Sequence, residues 1–145
     1  MILLDANLLI YAYDEAAPHH KRSSKWIERI FSSREPVLIP VAAIMAFLRI
    51  MTHQALPGPR FSMEEGIGIV DEWFSLSHVS IAITGNEHWN YLRQTLTDGQ
   101  ARSSLVTDSH LAALAIENGA TLCSVDRDFA RFPGLRWVDP LTETS

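Results

Sequence analysis

The chain has 145 residues, 47% of them hydrophobic, and a formal net charge of −5. That length and composition suit one globular domain over residues 1–145 with a sizeable core and exclude a disordered or fibrous chain, while the acidic balance excludes a protein that grips nucleic acid through bulk positive charge. The longest apolar stretch, Val37 to Leu48, is broken by Pro40 and stopped by Arg49, too short to cross a bilayer. No membrane partner is expected. A single cysteine, Cys123, rules out a disulfide framework, and Met1 leads into Ile2 without the basic start of a signal peptide, so a cytoplasmic location is expected.

Ile2-Leu3-Leu4 is continuously apolar, the pattern of a strand buried on both faces of a parallel sheet. Asp5 closes it and Asn7 follows two residues later, types that also cap turns and helices through the backbone. A helix is expected from near Pro18, with Trp26, Ile27, Ile30 and Phe31 as its apolar stripe and Lys21, Arg22, Lys25 and Arg29 as a solvated face. Val37-Leu38-Ile39 reads as a second strand. Beyond Pro40, Ile44, Phe47, Leu48 and Met51 recur at helical spacing as far as Thr52, and Gln54 to Arg60 reads as a loop because Pro57-Gly58-Pro59 ends regular structure.

Ser62 with Glu65 three residues later spells a capping box, and Ile69, Val70, Trp73 and Phe74 supply the apolar face of the helix it opens. Val79 to Ile83 reads as a third strand. Asn86 is the expected cap of a helix running through Leu96 that turns Trp89, Leu92 and Leu96 to the core. Another helix begins near Thr107, with Thr107 or Asp108 at its N-cap, and stops at Asn118-Gly119. Strands around Leu122 and Trp137 complete the chain. Strands alternating with helices predict an α/β fold, a parallel central sheet of four to five strands flanked by helices.

Three acids each adjoin an apolar run: Asp5, Asp108, and Asp126 after Thr121-Leu122-Cys123-Ser124-Val125. In an open parallel sheet the carboxyl ends of the strands share one edge, and ligands bind in the crevice where the strand order reverses. Two carboxylates about 4 Å apart repel by roughly 4 kcal/mol at an effective dielectric near 20, so a convergent cluster requires a cation or a proton. Hard oxygen ligands with room for water suit Mg2+. The helix N-terminus is expected to lower the pKa of Asp108 and keep it ionised. If the chain stays extended past the strand, Asp126 and Asp128 face one way and Arg127 the other. One of the two then binds metal, Asp126 being nearer the strand end, while the other caps the turn at Phe129. His110 is read as an ordinary helix residue and Cys123 as a buried structural thiol.

The segments Leu3-Leu4-Asp5-Ala6-Asn7-Leu8-Leu9, Phe47-Leu48-Arg49, Thr107-Asp108-Ser109-His110-Leu111-Ala112-Ala113-Leu114-Ala115 and, most specific, Gly119 through Leu135 carry a resemblance along nearly the whole chain. The chain resembles the PIN-domain ribonucleases, and more narrowly the VapC toxins of VapBC toxin-antitoxin pairs. That resemblance implies a PIN-like fold and an Mg2+-dependent endonuclease cutting RNA, with Mn2+ able to substitute. It gives Asp5 and Asp108 as metal ligands and Asp126 as completing the acidic quartet; the residues themselves add Asn7, Arg49, Ser124 and Asp128 as accessory positions. It also implies a cognate VapB antitoxin whose C-terminal tail occupies the active-site groove, and a homodimer.

One position departs from the family pattern. Members with a full acidic quartet usually carry glutamate immediately before the Phe-Leu-Arg segment, and here that residue is Ala46. A disarming substitution and a natural branch with an apolar residue both account for it. Arg49, one turn beyond, shares a helix face with Ala46 and is placed to meet the scissile phosphate or to pair with an aspartate. Ala46 is also the best support for the competing reading, a catalytically inactive PIN-domain protein that binds antitoxin or RNA without cleaving. Phosphoryl transfer through Asp5 is disfavoured: haloacid-dehalogenase-like phosphatases want an aspartate where Asn7 stands, and receiver domains want a late lysine, whereas none follows Lys25. The Leu56 to Arg60 loop and the Lys21 to Arg29 face are candidate RNA contacts.

Overall fold

In the computed structural model, which describes residues 1–142, five strands form one parallel sheet: β1 (Ile2–Leu4), β2 (Val37–Ile39), β3 (Val79–Ile81), β4 (Thr121–Cys123) and β5 (Trp137–Val138). Their order is β3-β2-β1-β4-β5, with every neighbouring pair parallel. The connections carry α1 (Ala6–Tyr13), α2 (His20–Phe31), α3 (Val41–Met51), α4 (Met63–Ser75), α5 (His88–Asp98) and α6 (Leu105–Asn118). This is the expected α/β architecture with its full complement of five strands.

Register explains the two-sided core. Leu3 lies opposite Leu38 on one side and Leu122 on the other, while Leu4 lies opposite Cys123. Alternation along each strand therefore sends Leu3, Leu38 and Leu122 to one face and Leu4, Val37, Ile39 and Cys123 to the other. The first face is covered by Leu111, Ala112, Leu114 and Ala115 of α6 with Phe129 and Phe132. The second is covered by α1 to α4 through Leu8, Leu9, Trp26, Phe47, Met51 and Trp73. Each fully buried large side chain among these contributes roughly 1.5–3 kcal/mol, so the short strands are held mainly by their faces.

Local signals set several element ends. The capping box forms: Ser62 Oγ accepts from the Glu65 N–H at 3.1 Å, and Glu65 Oε1 accepts from the Ser62 N–H at 2.9 Å. Gly119 ends α6 at φ 66°, ψ 27°, the left-handed conformation that a side chain would strain. The loop before α4 is anchored by Arg60, whose guanidinium donates to the Pro57 carbonyl at 2.7 Å and lies 3.4 Å from Asp14 beyond α1.

Elsewhere tertiary packing overrode the sequence pattern. The helix α1, directly after Asp5, was not anticipated, because Leu8, Leu9 and Ala12 are buried in an almost wholly apolar segment that shows no polar stripe. β3 stops at Ile81, leaving Ile83 exposed. Asn86 caps nothing: α5 starts at His88 with no side-chain cap. Trp89, expected in the core, is 61% exposed, because α5 packs chiefly on α6 and not over the sheet. α6 begins at Leu105, so Thr107 and Asp108 lie inside its first turn and neither is the N-cap. Among the described residues no helix is long and apolar enough to cross a membrane.

Candidate active site

The strand order reverses between β1 and β4: the chain leaves β1 towards β2 and leaves β4 towards β5, opening a crevice at their carboxyl ends. Asp5 stands there as the N-cap of α1, its Oδ1 accepting from the Ala6 N–H at 2.7 Å. Its Oδ2 accepts from Ser124 Oγ at 2.7 Å and from Asn7 Nδ2 at 3.3 Å. Ser124, the residue after β4, is fully buried. Its hydroxyl donates to Asp5 and accepts from Asn7 Nδ2 and from the Asp126 N–H, both at 3.0 Å. One donor and two acceptor positions exhaust what a serine offers, so Ser124 ties the ends of β1 and β4 together and sets the start of the Asp126 turn.

Asp126 is itself extended, but the chain turns directly after it. Asp126 caps a 3₁₀ turn over Arg127–Arg131, its side chain accepting from the Asp128 N–H at 2.9 Å. The assumed strand-like alternation of Asp126 and Asp128 fails, and the residue favoured as ligand is also the cap. The turn nevertheless gathers the acids: one carboxylate oxygen each from Asp108, Asp126 and Asp128 lie within 4.8 Å of one another. Asp5 adjoins this trio and is felt electrostatically by Asp108.

No cationic side chain answers the cluster. Among the described residues the ion pairs join Met1 to Glu35, Arg60 to Asp14 and His88 to Glu117, none of them at these acids. Burial first, then the carboxylates of Asp126, Asp5 and Asp128, push Asp108 up to about 6. This reverses the expected lowering: a helix N-terminus offers a carboxylate typically 0.3–1 kcal/mol, less than partial burial beside three like charges costs. Asp5 is also raised, mainly by burial and slightly by Asp126, with the Ser124 and Ala6 hydrogen bonds pulling it back.

The donor chemistry fits a hard divalent cation. All the convergent atoms are carboxylate oxygens, and Asn7 Oδ1 is buried beside them without a hydrogen-bond partner among the described residues, an acceptor that a metal-bound water would satisfy. Ala46, half-buried on α3, brings neither charge nor donor. Arg49 is exposed and pairs with none of the aspartates. Arg60 is sequestered, its side chain 5% exposed, which removes the charge of the Leu56 to Arg60 loop from any surface contact. Lys21, Arg22, Lys25 and Arg29 do form an exposed face on α2. His110 turns away to His88. Sequence reading undervalued Ser124 and Asp128; the signal available was a serine two residues before an aspartate, a spacing that favours a local side-chain turn.

A family model described as "PIN domain" matches residues 2–135. Ribonuclease VapC33 of Mycobacterium tuberculosis (strain CDC 1551 / Oshkosh) is 35% identical over 143 residues, covering 99% of this chain and 100% of that protein. Ribonuclease VapC37 of M. tuberculosis (strain ATCC 25618 / H37Rv) is 34% identical over 140 residues, 97% of each. Among solved structures, VapBC2 from Rickettsia felis bound to a DNA fragment from their promoter superposes with a TM-score of 0.67 at 19% identity, covering 95% of this chain and 98% of that one.

Proposed function

The chain belongs to the PIN domain family, among its VapC ribonucleases, and from that premise we propose that it is the toxin of a type II toxin-antitoxin pair: a cytoplasmic, Mg2+-dependent endoribonuclease, folded as one PIN domain, homodimeric, and neutralised by a VapB antitoxin. The observation that carries the catalytic part is the uncompensated acidic cluster at the β1/β4 crevice, whose strained ionisation a divalent cation relieves. The partner is supported by the likeness to a solved VapBC assembly.

Asp108 and Asp126 would hold the metal with Asp5, joined by Asp128 from the adjacent turn. When bound, Mg2+ supplies charge neutralisation at the phosphate and a more acidic water. Ser124 positions Asp5 against Asp126 through its three hydrogen bonds, and Asn7 steadies both Asp5 and Ser124 through its amide nitrogen. Attack by water, with no part for a ribose 2′-hydroxyl, leaves a 5′-phosphate and a 3′-hydroxyl. Ala46 removes one carboxylate from the family set, and this chain is accordingly a weakened nuclease.

The test is to incubate the chain and its Ala46→Glu form with a structured RNA, in Mg2+ and in chelator, and map the product ends. Metal-dependent 5′-phosphate ends, produced orders of magnitude faster by the glutamate form, support this reading. Equal rates in both forms assign Ala46 to a natural branch in which the aspartates suffice. Cyclic 2′,3′-phosphate ends would refute the mechanism, and silence from both forms across RNAs would favour a binding role.

A further inference from the structure

A second cluster of ligating side chains lies away from the acids, where α5 packs on α6. Glu117, in the last turn of α6, accepts from the Gly85 N–H through Oε2 at 2.8 Å, while its Oε1 lies 2.8 Å from His88 Nδ1. Gly85 makes room for this: a Cβ there would stand 3.0 Å from Glu117 Oε2. A carboxylate only accepts, so His88 Nδ1 carries a proton, and in the neutral ring His88 Nε2 presents a bare lone pair. That nitrogen lies 3.1 Å from His110 Nδ1, with the two rings at 82°.

Two imidazole nitrogens sharing one tetrahedral metal at bond lengths near 2.05 Å stand roughly 3.3 Å apart, close to the separation already present. A carboxylate on the far nitrogen of a ligating histidine is the usual outer partner, fixing ring tautomer and raising ligand basicity. The side chains of His88 and Glu117 are 16% and 11% exposed, which leaves solvent access for exchange while holding the rings in place. We propose that His88 Nε2 and His110 Nδ1 form a binding site for a borderline divalent transition metal such as Zn2+ or Ni2+, backed by Glu117 and completed by water, that clamps α5 to α6. On binding, the proton on His110 Nδ1 is exchanged through solvent to Nε2, so the ring stays neutral and the metal replaces the hydrogen bond between the rings. Imidazole donors select such metals, whereas the all-oxygen aspartate cluster selects Mg2+, so the two sites are chemically distinct.

The test is titration of the full chain with Zn2+ by calorimetry in excess Mg2+, together with electron paramagnetic resonance of the Cu2+-loaded protein, in which nitrogen coupling reports imidazole ligands. One equivalent bound with nitrogen coupling is expected, lost in His88→Gln and in His110→Gln, weakened roughly 10- to 100-fold in Glu117→Gln, and retained in Asp108→Asn. His110→Gln keeps the His88–Glu117 contact and so covers a failure of His88→Gln to fold. Nitrogen-coordinated metal that survives both histidine variants, as it would if His19 and His20 were the ligands, overturns the proposal. Absence of nitrogen coupling in the unsubstituted chain does so as well.

Discussion

The two ends of α6 handle negative charge in opposite ways. In the first turn, Asp108 meets Asp5, Asp126 and Asp128, none of which is in an ion pair among the described residues, and its pKa climbs to about 6. In the last turn, Glu117 is held by a backbone N–H and an imidazole, and every oxygen it presents has a donor. The difference follows from where the ends lie. The first turn sits over the carboxyl edge of β1 and β4, where strands and turns deliver further acids; the last turn sits against the start of α5, where the chain delivers donors. One end carries unrelieved negative charge, and the other has each carboxylate oxygen held by a donor.

The sharpest way to break this contrast is to neutralise the strained end. Asp108→Asn is expected to cut Mg2+-dependent RNA cleavage by at least about a hundredfold, since the lost charge acts on the transition state; initial rates at saturating Mg2+ measure it. A residual rate close to that of the unsubstituted chain would remove Asp108 from the metal set.

The same substitution should leave the metal-free protein more stable, not less. The folded pKa of Asp108 lies above its unfolded value, so the native state binds more protons and stability falls as pH rises between the two. Its contribution is fully present below about 4 and is lost as pH passes through about 6. Melting in chelator should therefore show Asp108→Asn several degrees above the unsubstituted chain at pH 7.5, with the two converging at pH 4. Adding Mg2+ should raise the melting temperature of the unsubstituted chain at pH 7.5 much more than at pH 5, and should raise that of the variant little.

The smallest effect belongs to the satisfied end. Glu117→Ala leaves the Gly85 N–H and His88 Nδ1 without their acceptor, at a cost of about 1 kcal/mol for a partly exposed pair, or roughly 3 °C in melting temperature. A rise on removing Glu117 would erase the distinction between the two ends.

Several features were legible in the residues alone because a local rule decides them. Ser62 and Glu65 spell a cap that forms as written, Gly119 stops a helix because only it adopts the required backbone angles cheaply, and Val37 to Ile39 is apolar enough to be a central strand. The family motifs marked Asp5, Asp108 and Asp126 before any geometry was known. What failed failed for lack of neighbours. α1 carries no polar stripe because both the sheet and α2 enclose it, Trp89 is exposed because its helix lies on another helix, and Asp126 and Asp128 converge through a 3₁₀ turn where extended chain was assumed.

The sequence by itself determined most of the strands and helices, though not α1, together with the chemistry of the acids and the family to which the chain belongs, since each depends on side-chain type and near-neighbour spacing. Only the tertiary structure decided that Ser124 joins β1 to β4, that Asp128 enters the cluster, that Asp108 is pushed up and not down, and that His88, His110 and Glu117 meet. Those outcomes depend on burial and on charges contributed from distant parts of the chain, and electrostatic energy is set by distance in space, which sequence spacing does not specify.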